Sequence, residues 1–255
     1  MPSAPPLPRS HNHHLIRFLA PLAALLAALP VSADSNPPGA VGIFTGRTDI
    51  GAVGQPGSAV YDPVWRTYTV TGSGADMWER SDMAGFVWKS ASGDLSIAAD
   101  ILLVGTSDQP HRKACLIIRQ DLTPDSPYVD VAVHGYGLAA LQYRAATGDI
   151  TREIQSDVAT PRRVRLDKIG DTVYLSITAD DSDPKPSGAS IKVAFKDPFY
   201  IGLAACAHDN TGLETALFKQ VEIGPASPAA AAPQPGLKLE VLPDGNHRVV
   251  RSTPQ

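Results

Sequence analysis

A chain of 255 residues with 43% hydrophobic side chains has enough apolar material for a full core, which excludes a disulfide-stapled mini-protein and a disordered tail. Its formal charge of −4 is a poor match to the electrostatics of nucleic-acid binding. The two cysteines, Cys115 and Cys206, show neither a CxxC nor a Cys/His ligand spacing, so zinc is not implied.

In chain order, the N-terminus reads as a cleavable secretory signal over residues 1–33. Arg9 and Arg17 supply positive charge, residues 18–29 are apolar and Ala/Leu-rich, and Val31-Ser32-Ala33 offers a small-x-small cleavage site after Ala33. The apolar run is too short to span a bilayer, which needs about 20 residues. Cleavage discards His11, His13 and His14, and leaves 20 Lys+Arg against 26 Asp+Glu, a formal charge of −6. No second long apolar run follows, so the mature chain is expected to have no membrane span and to reside in the periplasm or outside the cell. Residues 34–40 (DSNPPGA) read as a tether.

From 41 to 224 the sequence alternates with period two between turn residues. Strands are expected at 95–104, 114–119, 128–134, 138–144, 163–167, 173–178, 191–195, 200–208 and 216–223. Ser92-Gly93-Asp94, Thr123-Pro124-Asp125, Thr147-Gly148-Asp149, Gly170-Asp171 and Asp183-Pro184 mark turns between them. With no useful helix-period stretch, this pattern implies an all-β fold of antiparallel sheets. Residues 225–236 (PASPAAAAPQPG) read as an Ala/Pro-rich linker. Residues 237–255 then give one hairpin outside the main domain, turning at Pro243-Asp244-Gly245, which needs a surface to pack on.

The segments TYTVTGSGADMWERSDMAGFVW (67–88), GDLSIAADI (93–101), KACLIIRQDL (113–122), LQYRAATG (141–148), RRVRLDKIGDTVYLSIT (162–178) and YIGLAACAHD (200–209) occur in family order. Together they resemble a bacterial family of exported domains of unknown function in the concanavalin A-like lectin/glucanase superfamily. The resemblance implies an antiparallel jelly-roll sandwich, and some relatives bind carbohydrate. LKLEVLPDGNHRVV (237–250) resembles the strand that opens a Tol-type periplasmic β-propeller in some relatives; with the chain ending at Gln255, no propeller is expected here. The sequence departs from the family pattern at Cys115, where a glycine is usual, and at ADDSDPKPSG (179–188), where a short Asp-Gly turn is usual.

Strand parity sorts the candidate site residues. If Ala114, Leu116, Ile118, Leu141, Tyr143, Phe199, Ile201 and Leu203 face the core, then Arg119, Gln142, Arg144 and His208 share the opposite face. Gly202 and Ala204 would keep a groove open there. Guanidinium, amide and imidazole groups can bond sugar hydroxyls while an aromatic covers the apolar ring face. Trp78 and Asp82, in ADMWERSD, could stack on and bond a sugar, although Trp78 could equally plug the sandwich end; Trp65 and Trp88 suit the core. By the same parity Cys115 and Cys206 share the outer face, and matched register would allow a disulfide. Asp180, Asp181 and Asp183 offer carboxylates to calcium, but their spacing does not match a full EF-hand loop; a polar turn accounts for them better, and no cofactor is implied. Asp130 and His134 share an outward face without completing a metal site.

These residues point to a non-catalytic exported ligand-binding module, most plausibly carbohydrate-binding on the concave sheet face. The alternatives are a structural or protein-interaction module of an envelope assembly, engaging a partner through the C-terminal hairpin, and a glycoside hydrolase using Asp carboxylates. The hydrolase reading lacks the E-x-D-x-x-E strand of the glucanases.

Overall fold

The computed structural model describes residues 1–3 and 39–252. The expected signal segment beyond its first three residues, its cleavage point at Ala33 and most of the 34–40 tether lie outside the described residues.

Eighteen strands run through the described residues: β1 (Gly46–Ile50), β2 (Ser58–Asp62), β3 (Thr67–Gly74), β4 (Met77–Trp78), β5 (Ser81–Asp82), β6 (Ala84–Ala91), β7 (Leu95–Leu103), β8 (Lys113–Arg119), β9 (Tyr128–His134), β10 (Ala139–Arg144), β11 (Arg152–Gln155), β12 (Arg163–Ile169), β13 (Thr172–Thr178), β14 (Lys185–Lys192), β15 (Phe199–Cys206), β16 (Asp209–Gly224), β17 (Leu237–Val241) and β18 (His247–Arg251). They form a nine-stranded sheet, β1-β6-β15-β8-β9-β10-β11-β18-β17, and a seven-stranded sheet, β14-β13-β12-β7-β16-β3-β2; β4 and β5 make a separate hairpin. Pairing is antiparallel throughout except between β11 and β18. The chain is an all-β sandwich of jelly-roll type.

Period-two alternation fills the space between the sheets. Ala114, Leu116 and Ile118 of β8, Val129, Val131 and Val133 of β9, and Phe199, Ile201 and Leu203 of β15 meet Ile97 of β7, Leu166 of β12 and Leu175 of β13 there. A second apolar cluster lies on the other face of the nine-stranded sheet, where Met77 packs with Phe86, Cys115, Ile117, Tyr128, Ala132, Ala204 and Cys206. That face is therefore covered over part of its width, and every residue of β8 and β9 is buried on both sides.

Several expectations change. The strand expected at 191–195 is β14, which starts at Lys185. Pro186 is tolerated because β14 is a sheet edge, where a missing N–H breaks no ladder. The tail hairpin is not outside the domain. β18 pairs in parallel with β11, Ile154 opposite His247, and Val249 is buried in the main core. The linker is also docked: the Ser227 amide donates to Asp167 Oδ1 at 2.7 Å, Ser96 and Arg165 donate to the Pro225 carbonyl, and Ala230 is buried.

Cys115 and Cys206 are free, buried thiols. Their strands are neighbours, but Cys115 stands opposite Ala204 and Cys206 opposite Lys113. The two are a diagonal pair, with Cα atoms on the order of 7–8 Å apart where a bridge needs about 4.4–6.8 Å. Trp65 is 74% exposed at the β2–β3 turn rather than in the core, because Asp62 caps the Val64 and Trp65 amides and turns the chain outward. Asp180 bonds Thr178 and the Ser182 amide within its own turn, and Asp181 pairs with Arg162.

Because Val249 docks the hairpin, Val249→Asp should lower stability by about 3 kcal/mol or more, the scale of burying an unpaired polar group. A denaturant midpoint equal to wild type would mean that the hairpin is not part of the fold.

Candidate functional site

The outer face of the nine-stranded sheet carries the polar residues that parity assigned to it, but the structure divides them into two zones. Asp82, Arg119 and Arg144 form a buried knot. Arg144 reaches Asp82 with both terminal nitrogens, Nη2 to Oδ1 at 2.7 Å and Nη1 to Oδ2 at 2.8 Å, and Arg119 Nη1 reaches the same Oδ2 at 2.7 Å. Their other N–H groups donate to carbonyls of three loops. Arg119 bonds Asp121 and Thr123; Arg144 bonds Glu79, Pro124, Ser126 and Asp149, with a longer contact to Trp78 at 3.4 Å. Tyr128 lies under both guanidiniums, its ring centroid 5.1 Å from Arg144 Cζ and 5.8 Å from Arg119 Cζ.

The expectation that Asp82, Arg119 and Arg144 contact ligand is therefore corrected. The β4–β5 hairpin and the 121–127 loop close over them, and no ligand can touch a group that is 0–1% exposed. Gly202 and Ala204 do not hold a groove open either. A side chain at Gly202 would collide with the Val87 carbonyl, and Ala204 is packed with Met77 and Phe86.

The open zone is a groove of about 360 Å³ beside the knot, lined by Asp76, Trp78, His111, Lys113, His134, Tyr136, Leu138, Gln142, Glu153, His208, Asp244 and Asn246. Three residues singled out from sequence, Trp78, Gln142 and His208, meet there. Parity also places His134 on this outward face, and Lys113 shares the parity of Arg119. Asp244 and Asn246 arrive on the tail hairpin, where Asn246 Oδ1 accepts the Glu153 amide at 3.1 Å.

Charge in the groove is largely matched. Lys113, 2% exposed, donates to Asp76 Oδ1 at 2.9 Å and to the Met77 carbonyl at 3.3 Å. Burial alone would raise the Asp76 carboxyl, yet the Lys113 ammonium holds it below its ordinary value; the same pairing raises Lys113 against its own burial. His208 Nδ1 faces Asp76 Oδ2 at 3.5 Å, beyond a good hydrogen bond. Its backbone sits at φ +54°, an uncommon conformation for a non-glycine residue, just beyond the end of β15. The His111 ring lies 5.2 Å from His208 and 5.3 Å from Tyr136. Burial, helped by Lys113, pushes His134 down to about 3, so it is a neutral imidazole at physiological pH. Glu153 accepts from Gln142 Nε2 at 3.1 Å and from Gln155 Nε2 at 2.7 Å.

Among the described residues no group of three or more His, Cys, Asp or Glu is arranged to hold a metal ion. No helix there is long and apolar enough to cross a membrane. A second depression of about 220 Å³, between the tail hairpin and β13–β14, is lined largely by Ala, Leu and Val and carries no carboxylate or imidazole.

No protein-family model matches the chain, and no curated protein matches it in sequence. Among solved structures, a functionally unknown protein from Saccharomyces cerevisiae aligns with a TM-score of 0.54 and 12% identity, over 69% of this chain and 95% of that one. This likeness is one of fold: the sandwich is shared. A carbohydrate-binding module, CBM66 from Bacillus subtilis, aligns at 0.46 and 14% identity over 71% of this chain and 97% of that one. A lectin from Bauhinia forficata, solved in complex with GalNAc, aligns at 0.44 and 11% identity over 71% and 98%.

Two predictions follow from the buried charges. Arg144→Ala strands Asp82 and several loop carbonyls, and should cost about 3–5 kcal/mol in a denaturant titration, the scale for breaking a buried ion pair; a loss under 1 kcal/mol would contradict a buried knot. Asp130, on β9 beneath the groove, is fully buried, and burial pushes its carboxyl up to about 8. Between about pH 4 and pH 8 the folded state then binds a proton that the unfolded chain has released, so stability falls as pH rises across that window. Asp130→Asn should flatten that part of the stability–pH curve, which chemical denaturation at a series of pH values would reveal.

Proposed function

We propose that the chain is a non-catalytic carbohydrate-binding module whose ligand occupies the groove between Trp78, Gln142 and His208. The observation that carries this reading is the convergence, in one groove of small-molecule size, of an aromatic face with amide, imidazole and carboxylate groups. Trp78 is half-buried and offers ring surface to the apolar face of a sugar, while Asn246 and His208 bond hydroxyls and the buried Gln142 forms part of the groove floor.

Binding is favoured over hydrolysis because the groove carboxylates already have partners: Asp76 has Lys113, Glu153 has Gln142 and Gln155, and Asp244 has Asn246. Asp130, the carboxyl that burial keeps protonated, does not line the groove, so it cannot reach a glycosidic oxygen. The docked tail hairpin weakens the alternative in which that hairpin recruits an envelope partner. Export through the 1–33 signal completes the proposal, placing the module in the periplasm or outside the cell.

A glycan-array screen followed by calorimetry tests the reading. Trp78→Ala should weaken binding about ten- to thirtyfold, equivalent to about 1.4–2 kcal/mol, while Trp65→Ala, on the other sheet, should leave it unchanged. Equal loss from both variants, or no glycan bound by wild type, would refute the assignment. Separately, N-terminal sequencing of exported material should begin at Asp34; intact Met1 in a soluble cytoplasmic fraction would contradict export.

A further inference from the structure

Beneath the groove floor two neighbouring side chains present acceptors that nothing satisfies. Both carboxylate oxygens of Asp130 are buried without a hydrogen-bond partner, and so is Oε1 of Gln142. Asp130 on β9 stands directly opposite Gln142 on β10, and both point away from the core that Val129, Val131 and Leu141 fill. Directly opposed residues have Cβ atoms about 4.5–5.5 Å apart, within reach of a carboxyl and an amide.

The charged and titratable groups around Asp130 are committed elsewhere. Lys113, on β8, bonds Asp76 and the Met77 carbonyl. Arg119, on the same strand, bonds Asp82, Asp121 and Thr123. The Tyr128 hydroxyl meets Thr151, and Cys115 offers only a weak thiol donor. Asp82, held by the β4–β5 hairpin, is a like charge that opposes ionisation of Asp130. On the far side of Gln142, Glu153 takes the Nε2 proton.

An ionised Asp130 would add a charge beside a second unsatisfied acceptor in a site whose nearest uncommitted donor is the weak Cys115 thiol, an arrangement that is costly to bury. One proton satisfies both groups. We propose that Asp130 is a neutral carboxylic acid that donates a hydrogen bond to Gln142 Oε1, and that this bond makes it the positioning residue that turns Gln142 Nε2 toward Glu153 in the groove floor. The preference of the carboxyl for its protonated form, set first by burial, agrees with this arrangement. When Asp130 ionises, the amide reverses to donate to it, and Oε1 then faces the Glu153 carboxylate. The groove floor loses the Gln142–Glu153 hydrogen bond and gains repulsion.

The effect on ligand rests on the groove being the glycan site; the proton on Asp130 does not. The full chain without ligand, labelled with carbon-13 at Asp side-chain carboxyls, is titrated by NMR together with the Gln142 side-chain amide resonances. One carboxyl should remain protonated through pH 6 and be missing in Asp130→Asn, and the Gln142 amide should shift with the same midpoint. If every carboxyl titrates in the ordinary range, or Gln142 does not follow, the proposal is overturned; the wild-type titration decides this even if the variant does not fold. For a glycan taken from the array, wild-type affinity should fall about tenfold per pH unit above that midpoint, as required when only the protonated form binds. Asp130→Asn, whose amide also donates to Oε1, should bind with no such fall. Matching profiles for the two proteins would remove the positioning role, whereas failure of every glycan to bind would refute the glycan reading and leave the NMR result standing.

Discussion

Two guanidiniums sharing one carboxylate out of water is the constraint on which this face of the sandwich depends. Arg119 and Arg144 carry two positive charges against the single negative charge of Asp82, so the ion pairs alone do not compensate the desolvation of the set. Backbone carbonyls supply the remainder, and they come from the 76–82 hairpin, the 121–127 loop and the turn before Thr151. The requirement to satisfy every N–H of two buried guanidiniums thereby fixes three loops at once.

The groove follows from that constraint. By holding the carbonyls of Glu79 and, more loosely, Trp78, Arg144 sets the hairpin that carries the Trp78 ring, and Asp76 then lies where Lys113 can meet it. The hairpin covers Ala204, Cys115 and Ala132 together with the Arg119–Arg144 knot, and leaves the groove beside them open. The tail closes the far wall: Asn246 Oδ1 takes the Glu153 amide, and Asp244 and Asn246 stand beside Gln142.

Two carboxyls on this face show how position divides a single chemical type. Asp76 and Asp130 both lie near Lys113, yet only Asp76 receives its hydrogen bond, and the two are driven in opposite directions, Asp76 down and Asp130 up to about 8. The difference is access. Asp76 is partly open to water and paired with an ammonium, whereas Asp130 is enclosed with only the weak Cys115 thiol turned to it.

Sequence determined the fold class and the facing of the central strands. An alternation such as Ala114, Leu116, Ile118 against Cys115, Ile117, Arg119 has only one solution when one face must leave water, and β8, β9, β10 and β15 obey it. The same parity brought Gln142, Arg119, Arg144 and the two cysteines to one face. Period two says which way a side chain points, but not what lies above it. Whether an outward arginine meets water or a carboxylate depends on loops that carry no periodicity, and the tertiary structure decided that Arg119 and Arg144 are buried while Gln142 and His208 border a groove. It also decided the register that sets Cys115 opposite Ala204, since a two-residue offset leaves strand parity unchanged. The tail belongs to the same class: its alternation at 237–250 predicts a hairpin, but only the exposed edge of β11 gives that hairpin a partner, because backbone hydrogen bonds between strands carry no sequence code.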